Sequence, residues 1–351
     1  MTVLEVRDLR TTFETAEGDA CAVDGVSFTL ERGTVLGIVG ESGSGKSVTS
    51  LSVMRLLPRR GVRIEGQALL SGMDLVTASE AELRRLRGNE IAMIFQDPTT
   101  SLNPVYSVGW QLEETIMLHN EIPRRQARAR ARDMLGAVGI ARPESRLDDY
   151  PHHFSGGMRQ RVMIAMALAN NPAVLIADEP TTALDVTTQA QILTLLRRLR
   201  AEFDSAIMLI THDLGVVAEI CDDVAVMYGG RIVERAPVDE LFESPHHPYT
   251  WGLLDSMPSR AMAGRLRSIE GSPPSLTALP TGCRFHPRCA SALERCRTAV
   301  PVLSPLDLGA EAGADAEAGA DAGEHLDACH LPAEQKRARG RSVAAESAVL
   351  R

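Results

Sequence analysis

Residues 40–47 read GESGSGKS and fit the pattern G-x-x-x-x-G-K-S. The apolar run VLGIVG (35–40) precedes the motif and the helix-forming stretch VTSLSVMRLL (48–57) follows it. Glycines in such a loop allow main-chain N–H groups to surround phosphate oxygens, and the following helix adds the positive end of its dipole. The segment therefore predicts a nucleoside triphosphate site between a strand and a helix.

Each position of this phosphate loop has an expected role. Lys46 is expected to pair with the β- and γ-phosphates, and the Ser47 hydroxyl is expected to bind Mg²⁺. A glycine-rich turn arising by chance is the alternative, but lysine is scarce, because the chain has only Lys46 and Lys336. The residues expected to contact the nucleotide are Gly40, Ser42, Gly43, Gly45, Lys46 and Ser47.

Three more apolar runs resemble the one before the loop. They are IAMIFQ (91–96), AVLIAD (173–178) and AIMLITH (206–212), and helical stretches such as Thr187–Phe203 separate them. Short runs rich in Val and Ile without alternation are typical of strands buried on both faces, as in a parallel sheet. The sequence therefore predicts an α/β core of the P-loop NTPase type.

Alternating patterns predict antiparallel strands outside this core. Residues 1–30 alternate between apolar and polar types with turn residues between, which predicts short antiparallel strands. The segment VAVMYGGRIVER (224–235) predicts a hairpin that turns at Gly229–Gly230. We expect the strands of residues 1–30 to form an antiparallel β subdomain.

Polar residues end three of the predicted core strands. Asp178 is placed to hold Mg²⁺ through water, and Glu179 beside it is placed to act as a general base. Two acids that only cap a helix are the alternative. His212 is expected to contact the γ-phosphate, although a hydrogen-bonded histidine at a sheet edge also fits. Gln96 ends its strand in the same way and is expected to contact Mg²⁺ and the attacking water.

Two stretches of the chain differ from the core. No strand pattern occurs between about 97 and 169, which predicts a helical subdomain within a nucleotide-binding domain of residues 1–236. Residues 237–351 are rich in Pro and His and then in Cys, which predicts a C-terminal extension. Its acidic tract, 307–328, is of low complexity and is predicted to be disordered.

Charge and hydropathy limit the classes of partner. The net charge is −9, but seven acidic residues of the tract supply most of it, so the body is near neutral and offers no case for a nucleic-acid partner. The basic run within 124–132 is expected to be a solvated helix face. The N-terminus lacks a signal-peptide pattern and no run of 18 apolar residues occurs. We therefore expect the chain to stay in the cytoplasm.

A second glycine motif precedes Asp178. FSGGMRQ (154–160) opens the helix-forming stretch RVMIAMALA. The ordered set GESGSGKS, Gln96, FSGGMRQ, LIADEP, ALD (183–185) and THD resembles the motifs of ABC ATPases over residues 1 to about 235. This resemblance implies MgATP as the ligand and ATP hydrolysis as the activity.

The resemblance also implies a composite site, in which two ATPase domains meet head to tail. Ser155, Gly156 and Gly157 would then bind the nucleotide held by a second ABC ATPase subunit, with Asp185 across the seam. Phe13 resembles the aromatic residue that stacks on adenine, and a core role is its alternative. The family often has Gln where this chain has Met158, so the amide contact from that position is missing.

Longer segments resemble the dipeptide, oligopeptide and nickel importers within that family. They are QDPTTSLNP (96–104), FSGGMRQRVMIAMAL, SPHHPYTWGLLDSMP (244–258) and GCRFHPRC (282–289), for which a Pro-rich surface extension is the alternative. This implies an ATPase that energises import of di- or oligopeptides, with nickel or another small solute as the alternative. The implied partners are two transmembrane permease subunits and an extracytoplasmic peptide-binding protein. The chain would lie peripherally on the cytoplasmic face of the membrane.

The rival class is a soluble ABC ATPase that acts on nucleic acid or ribosomes. Against it, the chain has one cassette, and the roughly 130 residues between Lys46 and Asp178 show no heptads.

Four of the six cysteines lie near the C-terminus. Cys283, Cys289, Cys296 and Cys329 have the spacing C-x5-C-x6-C-x32-C, which is wider than the close pairs of zinc fingers. A [4Fe–4S] cluster suits this spacing better, and relatives of this subunit carry one; a zinc ion, or no metal, stays open. Cys21 and Cys221 are isolated and are expected to be small buried side chains.

Overall fold

The computed structural model describes residues 1–97, 101–182, 184–257, 268–306 and 323–347. The chain divides into two compact units. The first unit comprises residues 78–210 with Met1 and 31–34, and the second comprises 2–30, 35–77 and the chain from 211 onward. The division does not fall at residue 236, since the phosphate loop and the C-terminal extension both belong to the second unit.

The strands in chain order are β1 (Thr2–Thr15), β2 (Gly18–Glu31), β3 (Val35–Val39), β4 (Val62–Leu70), β5 (Met73–Asp74), β6 (Ile91–Ile94), β7 (Val174–Asp178), β8 (Ala206–Thr211), β9 (Asp223–Tyr228), β10 (Arg231–Pro237), β11 (Ser304–Pro305) and β12 (Leu326–Asp327).

The helices are α1 (Lys46–Val53), α2 (Glu80–Leu86), α3 (Val108–His119), α4 (Arg124–Ala137), α5 (Pro143–Arg146), α6 (Gly156–Leu168), α7 (Val186–Phe203), α8 (Leu214–Ile220), α9 (Val238–Glu243), α10 (Pro248–Asp255) and α11 (Ala333–Ser347). Over the ranges that the structure describes, no helix combines the length and the apolar character needed to cross a membrane.

Three parallel strands form the core of the first unit. β7 pairs with β6 on one side and with β8 on the other, so that Val174 lies opposite both Ile91 and Ala206. Every residue of β7 and β8 is buried. Burial on both faces is the reason that these sequences do not alternate. The predicted parallel α/β core is confirmed.

The described residues from 101 to 169 form helices α3 to α6 and contain no strand. Ser107 begins α3 by accepting a hydrogen bond from the Trp110 N–H at 3.2 Å. Ser155 begins α6 in the same way with the Met158 N–H at 3.3 Å, as hydroxyl residues at N-cap positions commonly do. Residues 98–100 of the predicted helical subdomain lie outside the described residues.

The basic residues of α4 do more than form a solvated face. Glu113 of α3 is 2% exposed and accepts hydrogen bonds from Arg124 at 2.7 Å and from Arg128 at 3.2 Å. Arg128 also bonds Asp148 at 2.8 Å. A buried carboxylate needs such partners, because loss of hydration is unfavourable for an unpaired charge. These two arginines therefore neutralise a buried acid.

An antiparallel sheet with the order β2-β1-β4-β5 lies in the second unit. β1 and β2 have 14 residues each, so the prediction of short strands was wrong. A two-residue turn at Ala16–Glu17, followed by Gly18 with φ 117°, connects the two strands, so nearly all of residues 2–31 is strand. β1 also stays paired with β4 across a bulge at Asp8, which has φ 46°.

A second group of strands in this unit has the order β11-β12-β10-β9-β3. β3 and β9 are parallel, and the other neighbours are antiparallel. Gly229 and Gly230 join β9 to β10 with φ values of 53° and 86°. Positive φ at both central residues is the requirement of a two-residue type I′ hairpin turn, so the predicted hairpin is confirmed.

Part of the acidic tract is ordered. Residues 307–322 lie outside the described residues, but Leu326–Asp327 form β12, in which Asp327 lies opposite Glu234 of β10. Asp327 is 2% exposed and accepts a hydrogen bond from Lys336 Nζ of α11 at 2.5 Å. The prediction of disorder over 307–328 was therefore wrong at its C-terminal end, because the charge partner that orders it lies outside the tract.

Helix α10 begins at a buried histidine. His247 Nδ1 accepts a hydrogen bond from the Tyr249 N–H at 3.1 Å, so this ring nitrogen carries no proton. The His247 main-chain N–H donates to Glu234 at 3.0 Å. Burial lowers the pKa of His247 to about 4, against the opposing effect of Glu234 and with a smaller contribution from Lys336.

We expect His247→Asn to reduce the sensitivity of the protein to acid, because Asn keeps an N-cap acceptor but does not titrate. Unfolded His247 takes up a proton below its ordinary pKa of 6.5, whereas the folded protein resists protonation down to about 4. The contribution of His247 to the free energy of unfolding should therefore decrease as the pH is lowered through this window, by on the order of 2 kcal/mol between pH 7 and 5. Urea unfolding at both pH values measures this loss.

The matched control is His152→Asn, at an exposed histidine of the first unit. It should lose as much stability as the wild type. If His247→Asn also loses as much, the buried ring is not the acid-sensitive group.

Candidate functional site

The phosphate loop fits between two main-chain segments of the second unit. A Cβ atom at Gly40 would lie 2.2 Å from the carbonyl oxygen of Met227, and one at Gly45 would lie 2.4 Å from that of Ala22. Both glycines also have positive φ, 151° and 104°. No side chain fits at either position, so glycine is required at both ends of the loop.

Lys46 is the first residue of α1 and is 5% exposed. Its Nζ donates to the carbonyl oxygens of Gly40 at 2.8 Å and Glu41 at 2.9 Å. The amine therefore lies against the loop whose N–H groups are expected to hold phosphate. Ser42 and Gly43 are exposed, and Ser47 is half-buried.

Gln96 and Glu179 meet in the first unit. Glu179 follows Asp178, the buried last residue of β7. Its carboxylate accepts hydrogen bonds from Gln96 Nε2 at 3.1 Å and from the Thr182 hydroxyl at 2.8 Å, and its N–H donates to the Ile210 carbonyl at 2.9 Å. Glu179 has φ 46°, which is uncommon for a residue other than glycine. Backbone strain of this kind is concentrated at functional sites.

Thr182 was not among the predicted site residues. Its hydroxyl fixes the orientation of the Glu179 carboxylate, and its only sequence signal is a position three residues after a strand-end acid. Phe13 and His212 lie in the second unit. Phe13 is half-buried on β1 opposite Val62, and His212 is exposed directly after the last residue of β8.

The signature residues Ser155 and Gly156 are exposed at the N-terminus of α6. A Cβ atom at Gly157 would lie 2.6 Å from Cγ2 of Thr188, so glycine lets α6 approach α7. Asp185 accepts hydrogen bonds from the N–H of the same Thr188 at 2.9 Å and from its hydroxyl at 2.7 Å, and these bonds lower the pKa of Asp185. Thr188 thus contacts both Gly157 of the signature and Asp185.

The four C-terminal cysteines lie near one another. Cys283 donates its N–H to the Cys296 carbonyl at 2.9 Å, and Cys289 follows the short turn His286–Arg288. The pKa of Cys289 is raised to about 11 and that of Cys329 to about 12, mainly by burial and with a smaller contribution from the Cys283 thiol. The fold therefore brings Cys329 into the neighbourhood of Cys283. Of the two isolated cysteines, Cys221 is buried and Cys21 is half-buried.

The sulfur atoms are spaced more widely than around a single ion. In the part of the chain that the structure describes, no three cysteine sulfurs lie within 4.8 Å of one another. Tetrahedral zinc with Zn–S bonds of about 2.3 Å would bring its four sulfurs to ~3.8 Å.

Glu234, His246 and His325 do place three ligand atoms within 4.8 Å. The two imidazoles are stacked, however, with ring centroids 3.6 Å apart and planes at 7°. Their lone pairs therefore lie in two nearly parallel planes and do not converge on one ion. Glu234 already accepts hydrogen bonds from the ring Nε2 of His325 at 2.8 Å and from the main-chain N–H of His246 at 2.5 Å. The group is a buried hydrogen-bonded cluster.

Known sequences resemble this chain over most of its length. A family model described as "ABC transporter" matches residues 23–182, and one described as "Oligopeptide/dipeptide transporter, C-terminal region" matches residues 233–296. The chain is 55% identical over 295 residues to the oligopeptide transport ATP-binding protein OppD of Bacillus subtilis (strain 168), covering 83% of this chain and 82% of the relative. It is 54% identical over 301 residues to OppD of Salmonella typhimurium (strain LT2), covering 86% and 90%.

Solved structures share the fold. A dimeric post-hydrolysis state of the ATP-binding cassette MJ0796, bound to ADP and Pi, has a TM-score of 0.60 and 26% identity, covering 67% of this chain and 98% of that one. The structure of cbiO1 from Clostridium perfringens, part of the ABC transporter complex cbiONQ, has a TM-score of 0.58 and 30% identity, covering 69% and 90%.

The phosphate loop, the strand-end carboxylates and the signature helix define a P-loop ATPase. The chain belongs to the ABC transporter family, among the members that carry the oligopeptide/dipeptide transporter C-terminal region. The predicted fold, ATP as ligand and ATPase activity are thereby confirmed. The roles of single residues and the iron–sulfur cluster stay predictions.

We expect Glu179→Gln to lower ATP turnover by roughly 10²–10⁴-fold, the usual effect of losing a general base, while MgATP still binds. Steady-state hydrolysis by the assembled transporter measures turnover, and equilibrium dialysis measures binding. Glu202→Gln, at an exposed position of α7, is the control and should leave both unchanged. Turnover of Glu179→Gln within a fewfold of wild type would remove this residue from the role.

Proposed function

We propose that this chain is the ATP-hydrolysing subunit of an importer of di- or oligopeptides. One observation carries the proposal: the region that matches the oligopeptide/dipeptide transporter model contacts the phosphate loop, through a hydrogen bond from the Glu41 N–H to the Tyr249 hydroxyl at 2.7 Å. The relatives named above are oligopeptide transport ATP-binding proteins. The distinctive region thus belongs to the ATP site itself, and solute specificity resides in partner chains.

In the proposed reaction each polar group acts on MgATP. Lys46 pairs with the β- and γ-phosphates, while Ser47 and Asp178 hold Mg²⁺, the latter through water. Glu179 accepts a proton from the attacking water, which Gln96 helps to place between the carboxylate and the metal. His212 contacts the γ-phosphate. The hydrogen bond between Gln96 and Glu179 supports this scheme, because it orients the base before substrate arrives.

Composite nucleotide sites explain why the signature is exposed. Ser155 and Gly156 present the N-terminus of α6 to the surface, and a helix N-terminus favours a phosphate group. Asp185 is exposed beside them. In the proposal these residues, with Gly157, contact the ATP of a second ABC ATPase subunit, identical or related. Adenine in the chain's own site stacks on Phe13.

Exposed apolar side chains of the first unit support docking of permease subunits. The first unit exposes several large apolar side chains, by 42 to 74%: Phe95, Val105, Tyr106, Met117 and Leu118. Such side chains on a protein surface commonly mark an interaction site. We place two transmembrane permeases there, so that the chain lies on the cytoplasmic face of the membrane. An extracytoplasmic peptide-binding protein acts through the permeases.

The purified chain should hydrolyse ATP slowly by itself, because its signature serves a partner's nucleotide. Adding the second ATPase subunit and the permease pair in vesicles should raise the rate, and peptide-loaded binding protein should raise it further. Phosphate release measures each step. Ser155→Arg should block the stimulation without weakening nucleotide binding to the isolated chain, because the residue lies at the exposed helix start.

Three outcomes would contradict this assignment. Full activity of the isolated chain would remove the composite site. Stimulation by DNA or ribosomes but not by permeases would point to the rival class of soluble ATPases. Stimulation by nickel-loaded but not by peptide-loaded binding protein would mean that the transported solute is nickel and not a peptide.

A [4Fe–4S] cluster held by the four C-terminal cysteines is also part of the proposal. The donor set fits, since it supplies four thiols, one buried and three half-buried, whose sulfur atoms are spaced more widely than a single zinc ion requires. When bound, such a cluster would supply a cross-link between Cys329 and the turns that carry Cys283, Cys289 and Cys296, or a redox-sensitive group.

Protein purified without oxygen should be brown and contain about four iron and four sulfide per chain. Cys289→Ser should lose the colour and the iron, because a four-thiolate site needs every ligand. Cys21→Ser is the control and should keep both, as it removes a cysteine outside the set. Stoichiometric zinc without sulfide in the wild type would show that the cluster is the wrong assignment.

A further inference from the structure

Every polar group of Glu41, the second residue of the phosphate loop, is held by another residue of the second unit. Its N–H donates to the Tyr249 hydroxyl at 2.7 Å. Its carbonyl oxygen accepts from Lys46 Nζ at 2.9 Å and from the Ser44 N–H at 3.2 Å. Its carboxylate accepts two hydrogen bonds from the guanidinium of Arg288, at 2.5 and 3.0 Å. Two of these partners, Tyr249 and Arg288, belong to the C-terminal extension.

Arg288 is itself held in place. Its side chain is 5% exposed, and it donates to the carbonyl oxygens of Glu270 at 2.9 Å and Ile269 at 3.2 Å. The hydroxyl of Tyr228 accepts a further bond at 3.3 Å, and the guanidinium lies 5.8 Å from the Tyr228 ring centroid. A planar guanidinium with two parallel bonds to a carboxylate fixes direction as well as distance. Arg288 therefore has one orientation, and it determines that of the Glu41 side chain.

Tyr249 is equally constrained. Its ring is fully buried and packs against Tyr228 and Phe285, with centroids 4.7 and 5.4 Å away. A tyrosine held by its neighbours presents its hydroxyl at one place. The Glu41 N–H must come to that place, so the main chain of the loop is fixed as well as the side chain.

These contacts matter because Glu41 lies between two glycines of the loop. The close approach to Met227 holds Gly40, but a Cβ atom at Gly43 would meet nothing within 4 Å, so surrounding atoms do not confine the main chain there. Ordering such a segment when ATP binds would reduce the affinity, whereas a loop that is already ordered avoids the loss. The contacts of Arg288 and Tyr249 with Glu41, called the Glu41 clamp below, order this segment from outside the loop.

We propose that Arg288 and Tyr249 are positioning residues for ATP: together they hold Glu41, and with it the phosphate loop, in the conformation that receives the nucleotide. The extension thereby sets the affinity of the ATP site. The proposal rests on the phosphate loop as the nucleotide site and not on the transported solute.

The test uses the full chain assembled with its ATPase partner and permeases. Arg288→Gln should raise KM and the dissociation constant for MgATP about tenfold, the effect expected from freeing one main-chain residue, and change kcat by less than about threefold. Arg288→Lys should fall between this variant and the wild type, because lysine restores the charge but not the paired bonds. Tyr249→Phe should raise KM severalfold, since it removes the acceptor for the Glu41 N–H.

A double-mutant cycle distinguishes the effect of the Glu41 clamp from a nonspecific loss of structure. Glu41→Gln should weaken ATP binding, and Arg288→Gln added to it should cause little further loss, because the two residues act through one contact. Arg297→Gln is the matched control, an exposed arginine of the same segment whose partner is Glu294, and it should leave KM unchanged.

Unchanged KM in Arg288→Gln and in Tyr249→Phe would overturn the proposal. Additive losses in the double variant would do the same, since they would mean that Glu41 and Arg288 act separately. If Arg288→Gln does not fold, Tyr249→Phe and Glu41→Gln decide the question by the same criterion. Dependence on MgATP alone is measured, so a different solute would not alter the result.

Discussion

Two close contacts between main-chain atoms determine where the phosphate loop can lie. Gly40 lies against the carbonyl of Met227 on β9, and Gly45 against that of Ala22 on β2, at distances that leave no room for a Cβ atom. The Gly230 N–H also donates to the Ser44 carbonyl at 2.9 Å. The loop is therefore enclosed by a strand and a hairpin turn. The start of α1, and so the position of Lys46, depends on this enclosure.

The proposed general base, Glu179, has a strained backbone conformation. Glu179 keeps φ at 46° because its N–H bonds Ile210 and its carboxylate bonds Gln96 and Thr182. An energetically unfavourable conformation persists only where several contacts require it. The contact with Gln96 has a further consequence. Gln96 directly follows Phe95, whose side chain is exposed, so a change in the position of Gln96 would also change how the base is held.

The sequence predicted those features that depend on local pattern. β7 and β8 could be recognised because burial on both faces leaves only apolar residues, and the β9–β10 turn could be recognised because Gly229 and Gly230 suit a type I′ turn. The strand β4, VRIEGQALL, was not recognised, because its alternation of apolar and polar residues covers only Val62–Glu65 and stops at Gly66. β12 is two residues long and depends on Asp327 pairing with Lys336. Contacts between distant residues leave no trace in composition.

The same limit applies to the site. The residues expected to surround the phosphates and the base were identified from motifs, but Thr182 and the partners of Glu41 were not. Arg288 is 247 positions away from Glu41, and neither residue belongs to a pattern that indicates pairing. Only the fold shows that the extension, which could be taken for a surface appendage, reaches the loop.

The contact between Arg288 and Glu41 links the cysteine-containing segment to the phosphate loop. Arg284 and Arg288 both lie between Cys283 and Cys289. Arg288 holds Glu41, while Arg284 bonds the Gly229 carbonyl, in the hairpin turn that encloses the loop, and Asp24 at 2.5 Å. The segment therefore contacts both the phosphate loop and the hairpin turn that encloses it. If the cysteines bind the proposed cluster, the cluster would hold both ends of the segment that carries these two arginines, and would act on the ATP site without exchanging electrons with any reactant.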